Sequence, residues 1–291
     1  TALPPEISEL HWLSVIDFSC PVSDLTPIKN LTALERLSIS SSQVKDLTPV
    51  KAHTRLKALS LPNSRIVDLS PLQSLASLGE IFLDNTNVED ISVLQSFTKL
   101  EMLSLPNTQV KDITALASLS KLFTLNLANT PVADISALKS LTNLNSLNIC
   151  NTQVTDISAI EPLIQLRSLY LANSPISDLR PCGRLSELGE STPLSDGIFF
   201  GGTLAVRLDP KLLELSKIKD HNDRTRITAH YLNSLDDAEY DAFLEQRKRE
   251  LGIVEAEGVS TPPKTSTNAK ARAALLAPNL AAHRQGILPL A

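Results

Sequence analysis

Glycine is scarce in this chain, with nine in 291 residues, and only Gly79 and Gly183 fall between residues 10 and 184. Glycine-built phosphate cradles are therefore excluded from most of the chain, and the later "FFGGT" (199–203) lacks the lysine and spacing of a P-loop. Cysteine is rarer still. Cys20, Cys150 and Cys182 are odd in number and far apart, which excludes a disulfide framework and points to a reducing compartment, so a cytoplasmic location is expected. The five histidines have no zinc-ligand spacing and the cysteines form no CxxC, so no metal site and no cofactor are expected. His221 beside Asp220 and Asp223 is the nearest approach to a cluster, and it reads as a helix surface.

A surplus of positive charge is missing too. The net charge is −5 and the pI is near 5.6, which gives no general attraction to phosphate backbones or anionic lipid. No apolar run reaches the roughly 18 residues of a membrane span. The opening "TALPPEISEL" lacks the blocks of a secretory signal and has no initiator methionine, so upstream residues are expected to have been removed. With 42% hydrophobic and 20% charged residues, the composition excludes wholesale disorder.

What the chain has is a period. Asp24, Asp46, Asp68, Asp90, Asp112, Asp134, Asp156 and Asp178 stand 22 residues apart without a slip. Around them the apolar residues keep fixed offsets, as in "LTALERLSISSSQVKDLTPVKA" (31–52) and "LSKLFTLNLANTPVADISALKS" (119–140), giving the template LxxLxxLxLxxTxVxDIxxLxx. Full copies begin at 31, 53, 75, 97, 119, 141 and 163, preceded by a copy at 10–30 that is one residue short. "LPPEIS" reads as the tail of a still earlier copy.

Each LxL unit alternates with period two, which suits a short strand with leucines inward. One copy cannot bury its own apolar edge, but parallel stacking about 4.8 Å apart makes a continuous core. Each aspartate precedes I-S/T-x-L and is expected to cap a short helical turn by accepting from amides two or three residues on. Pro27, Pro49, Pro71 and Pro181 suit the early positions of that turn. Stacked carboxylates repel by about 0.8 kcal/mol per pair in water, against about 1 kcal/mol for a cap. Nearby Lys29, Lys45, Lys51, Lys111 and Lys139 are expected to tip that balance toward a structural role.

This spacing resembles the 22-residue class of leucine-rich repeats, and within it the internalin-like type of bacteria, whose copies carry a "DISPL"-like stretch. The resemblance covers residues 10–184. It implies an α/β solenoid, with a curved parallel sheet on the concave side and short helical turns on the convex side, followed here by a C-terminal helical extension. Where such repeats usually place asparagine, this chain has Ser42, Ser64, Thr86, Thr108, Thr130, Thr152 and Ser174, so a hydroxyl ladder is expected to satisfy the turn. The asparagines stand one residue earlier, from Asn63 to Asn173.

The domain organisation read from the sequence is an upstream remnant or N-terminal edge (1–9), an eight-repeat solenoid (10–184), a cap (185–208) and helices (209–251), then a linker and terminal helix (252–291). Asp209–Pro210 starts the first helix, with Leu212, Leu213, Leu215 and Ile218 as its apolar face. "EQRKRE" (245–250) reads as a solvated face. Cys182 takes a leucine position and reads as a small buried hydrophobe.

Recognition is expected to use side chains that vary on a constant frame. The outward strand columns supply Arg36, Glu80, Phe82, Asp84, Met102, Asn126, Asn148 and Tyr170. Glu80, Phe82, Asp84 and Met102 fall together in copies four and five, and aromatic and thioether anchors are favoured in interfaces. No nucleophile elbow, nucleotide fingerprint or paired acid motif occurs, and the contexts "CPV", "CNT" and "CGR" lack the aspartate that follows the cysteine in one class of leucine-rich-repeat ubiquitin ligases. The expectation is a non-enzymatic scaffold binding a protein or peptide, with neither nucleic acid nor membrane as partner and its oligomeric state left open. The alternative is the targeting arm of a larger bacterial enzyme or of an effector delivered into a host cell.

Overall fold

The computed structural model describes residues 3–40, 43–185, 187–188 and 197–253. Two units divide the chain, Thr1–Lys248 and Arg249–Ala291. The described part of the second is residues 249–253, where a helix ends and Gly252 turns the backbone at φ +65°. The linker and terminal helix expected beyond residue 253 lie outside the described residues.

In the first unit every LxL becomes a strand: β1 (Val15–Ser19), β2 (Arg36–Ser40), β3 (Ala58–Ser60), β4 (Glu80–Phe82), β5 (Met102–Ser104), β6 (Thr124–Asn126), β7 (Ser146–Asn148) and β8 (Ser168–Tyr170). They pair in parallel, in chain order, with each residue opposite its counterpart 22 positions on from β2 to β8, as in Leu103↔Leu125. The sheet extends one strand beyond the eight copies. β9 (Gly197–Phe199) sets Phe199 beside Tyr170. Gly197 is required there, because its φ is +126° and a Cβ would stand 2.5 Å from Thr225 Oγ1.

The template's apolar positions are enclosed, from Leu34 and Leu37 to Val132, Ile135 and Leu138. Burying each such side chain contributes about 1.5–3 kcal/mol, and stacking passes the gain from copy to copy. His53 takes one leucine position. It is fully enclosed, with Nδ1 3.1 Å from Val50 O and Nε2 3.0 Å from Ile28 O, and burial lowers its pKa below 6.5.

On the convex side a 22-residue period leaves room for a single 3-10 turn, such as Thr48–Val50 or Ser92–Ser96. Pro27, Pro49, Pro71 and Pro181 sit in the first positions of theirs. The corner after each strand depends on the asparagines. Asn63, Asn85, Asn107, Asn129, Asn151 and Asn173 all have φ between 55° and 60°, the left-handed conformation asparagine tolerates better than other side-chain-bearing residues. Some also join hands, with Asn107 Nδ2 donating to Asn85 Oδ1 at 2.7 Å and Asn85 Nδ2 to Asn63 Oδ1 at 3.0 Å.

The hydroxyls that follow close the corner. Thr86, Thr108, Thr130 and Thr152 donate to the carbonyl three residues back, and Ser174 Oγ donates to Ile149 O. Ser64 departs from the expected ladder: its Oγ is buried with no partner among the described residues. Ser42 lies outside them.

Four helices follow β9: α1 (Leu204–Leu208), α2 (Pro210–Ser216), α3 (His221–Ser234) and α4 (Asp237–Glu250). Asp209 caps α2, accepting from the amides of Lys211 at 2.8 Å and Leu212 at 3.4 Å. The same buried carboxylate accepts Tyr231 Oη at 2.7 Å and Tyr240 Oη at 2.9 Å, tying α3 and α4 to α2. Two expectations need correction. Leu213 is 42% exposed, because in a helix of seven residues it falls on the side opposite the core reached by Leu212 and Leu215. Arg247 is no purely solvated charge, since its Nε donates to Leu208 O at 3.2 Å.

Candidate functional site

The aspartate column shows what the frame does with charge. Asp24, Asp46, Asp68, Asp90, Asp112, Asp134, Asp156 and Asp178 each accept, through Oδ1, the amide two residues on, at 2.7–2.9 Å. The carboxylate stands one residue before the cap position, which an Ile or Leu occupies, and it holds the amide of the turn's first residue.

Hydrogen bonds to Thr48 hold the Asp46 carboxyl below its usual range, while repulsion from Asp24 is the weakest influence on it. Asp90 is held down likewise by Ser92 against Asp112. The expected lysines do not contribute. Among the described residues none of Lys29, Lys45, Lys51, Lys111 and Lys139 pairs with a column aspartate, and Lys111 instead faces Glu89 at 3.5 Å. Asp178 differs in being gripped by Arg180, which also reaches Asp237 and Asp241 on α4 and lies over the Tyr240 ring.

The exposed face of the sheet carries the variable side chains. Glu80, Phe82 and Met102 come from β4 and β5, with Glu80 directly opposite Met102, and Asp84 follows two residues after Phe82. All four are half-buried. Arg36 joins them from two strands away. Its Nη1 donates to Glu80 Oε2 at 3.1 Å across Ala58, which is only 3% exposed beneath the pair. With side chains 48% and 34% exposed, that bridge adds little stability, but it fixes the direction of both side chains.

Asn126 and Asn148 continue the row with a second duty. Their Oδ1 atoms accept the amides of Ala128 and Cys150 at 3.1 and 3.0 Å, which leaves their amide nitrogens as donors without a protein partner among the described residues.

Tyr170 stands apart from this group, three strands beyond Met102. It stacks on Phe199 with ring centroids 4.6 Å apart and planes 8° from parallel. His221 lies 4.8 Å from Phe199, and the Arg224 guanidinium covers that ring at 4.6 Å. Arg224 Nη2 also meets His221 Nδ1 at 2.7 Å, so that nitrogen is committed to a cation and is poorly placed to bind a metal. Phe199 and Arg224 are not among the site residues expected from the sequence, and His221, expected as a plain helix surface, is instead packed between the Phe199 ring and Arg224. Only the "FF" of "GIFFGG" hinted at a further strand. Phe123 was missed as well: 50% exposed at the residue before β6, it sits with Glu101 and Lys121 on the rim of the sheet.

Other chemistry is sparse. Among the described residues no group of three His, Cys, Asp or Glu could hold a metal, and no helix is long and apolar enough to cross a membrane. The three cysteines are unpaired. Burial raises the pKa of Cys150 and, more strongly, of Cys182, which leaves both as poor nucleophiles at neutral pH.

Comparison with known proteins agrees with the period. The family described as "Leucine Rich repeats (2 copies)" matches residues 98–140 and 120–163. No curated protein matches the chain. Among solved structures, internalin inlF of Listeria monocytogenes is 29% identical with a TM-score of 0.56, over 68% of this chain and 63% of that one, so the chain spans less than two thirds of inlF. A leucine-rich repeat protein of Leptospira interrogans, LIC12759, has a TM-score of 0.62 at 21% identity, over 69% of this chain and 52% of that one, which shows the shared fold. Internalin C2 (inlC2) of Listeria monocytogenes is 35% identical with a TM-score of 0.53, over 55% of this chain and 71% of that one. On that identity and coverage, with eight copies in register, the chain belongs to the internalin-like family of bacterial leucine-rich repeat proteins.

Proposed function

We propose that this chain is a non-enzymatic recognition module that binds a protein or peptide on the exposed face of its sheet. One observation carries the reading: Phe82 and Met102 stand half-buried beside Asp84 and the Arg36–Glu80 pair, on a face otherwise built largely from small neutral side chains. Aromatic and thioether anchors in such a setting bury area on contact without ordering long flexible side chains. The row of Asn126 and Asn148 offers amide donors along the path to Tyr170, and Tyr170 with Phe199 supplies a second apolar station. Unpaired thiols fit a reducing compartment such as the cytoplasm. The second reading, a recognition arm of a larger enzyme or host-directed effector, uses the same face and rests on the chain spanning 63% of inlF.

The test is selection of a displayed library of short random peptides on the immobilised chain, followed by affinity measurement on the Phe82→Ala plus Met102→Ala variant. The expected result is peptides that lose about 10-fold or more in affinity on the variant. Unchanged affinity for every selected peptide would rule the patch out. Turnover by the chain on its own, reproducible across preparations, would overturn the non-enzymatic reading.

A further inference from the structure

Among the described residues, one buried polar atom on the face, Asp84 Oδ1, is left without a hydrogen-bond partner. The cause is legible in its neighbours. In the flanking copies the same column holds Pro62 and Pro106, which have neither an amide proton nor a polar side chain to offer. The turn amides nearby are spent, Asn63 N–H on the Asp84 carbonyl at 2.7 Å and Asn85 N–H on the Pro106 carbonyl at 2.9 Å. Copies six and seven are organised differently, because there Asn126 and Asn148 match an acceptor to the local amide. In copy four Phe82 occupies that position and can do neither.

Charge on the face points the same way. The three outward columns carry the carboxylates Asp17, Glu80 and Asp84 against a single cation, Arg36, and Arg36 is engaged by Glu80. A buried carboxylate oxygen without a donor costs free energy in the unbound protein, and a cationic donor recovers it. Asp84 as a whole is half-buried, and rotation about its terminal torsion exchanges its two oxygens, so the carboxylate is within reach from the open side. Phe82, two residues earlier on the same face, and Met102 on the next strand give an apolar wall for an aliphatic stem and a ring for a guanidinium.

We propose that the Phe82–Asp84–Met102 patch receives an arginine or lysine side chain of a polypeptide partner, its charged head on the Asp84 carboxylate and its stem against Phe82 and Met102. This rests on the sheet-face reading above and narrows the chemistry of the partner.

The test uses short random peptides selected on the chain, then resynthesised and measured against wild type, Asp84→Asn, and Phe82→Ala plus Met102→Ala. The expected outcome is enrichment of Arg or Lys next to an apolar residue, with affinity falling about 10-fold or more on Asp84→Asn and falling similarly when the peptide's arginine is replaced by citrulline. In the same variant the melting temperature should stay level or rise, because Asp84 Oδ1 has no donor among the described residues to lose. Peptides that depend on Phe82 and Met102 but carry no basic residue, or keep their affinity on Asp84→Asn, would overturn this proposal and leave the face reading standing. Peptides indifferent to all three substitutions, or no enrichment at all, would sink both. A marked drop in melting temperature for Asp84→Asn would show that the carboxylate serves the fold, and would also overturn it.

Discussion

Between residues 75 and 162 each core position is repeated in the next copy, so Leu103, Leu125 and Leu147 do the same work in register. Between residues 197 and 250 two polar hubs tie the helices, each made once: Asp209 serves two amides and two tyrosines, and Arg180, from the last repeat, reaches two carboxylates of α4 besides its own Asp178. The comparison teaches where each region can fail. Repetition spreads the load over neighbours, whereas the helices depend on a few polar side chains that cannot be exchanged for another copy's.

The largest expected effect breaks the repeated region at its middle. Leu125→Ala empties a fully enclosed site and should cost about 2–5 kcal/mol. Because neighbours carry the stability of a solenoid, hydrogen exchange should show lost protection centred on the copies around β6, with the helices less affected. Uniform loss across both regions would mean that they unfold as one.

Next comes Asp209→Ala, the matching test of the helices. Losing a cap and leaving two tyrosine hydroxyls without their acceptor should cost about 3 kcal/mol, seen as early release of α2–α4 while the sheet stays protected.

A smaller effect probes the corners. Asn107→Ala forces a side chain with no local hydrogen bond into φ 57° and should lower stability by about 1–2 kcal/mol, whereas Asn107→Gly keeps the conformation and loses mainly the bond to Asn85. Denaturant midpoints for the two variants separate conformation from ladder.

The smallest effect per residue is the aspartate column, and pH sums it. The carboxyl groups of Asp24, Asp46, Asp90 and Asp112 are held below the usual 3.8 by the hydroxyls and amides they accept from. Their contribution is therefore present above the unfolded value and is lost as pH falls through the folded one. Midpoints measured from neutral pH down past 3.8 should decline, and Asp112→Asn should reduce that decline.

Much of this was legible in the sequence, for a physical reason. A 22-residue period with leucines at fixed offsets has one way to bury itself, so the strands, their direction and the prolines of the turns follow. The left-handed role of the asparagines was less visible, since residue type alone does not report φ. β9 was hidden because "GIF" is too short to carry alternation and its leucine partners are gone. The site was legible as a set of outward residues, but its internal ties were not. That Arg36 spans Ala58 to reach Glu80, and that Asp84 Oδ1 finds no donor among the described residues, depends on side-chain directions that spacing does not encode.

The proposed location of binding can be read from one nucleus. Met102 is the only methionine in the chain, so labelling methionine methyl groups with carbon-13 gives a single resonance from the middle of the patch. Titration with a peptide whose affinity has been established by calorimetry should shift or broaden that resonance in step with binding. Saturation of the chain by such a peptide with the Met102 resonance unmoved would place recognition elsewhere and contradict the sheet-face site.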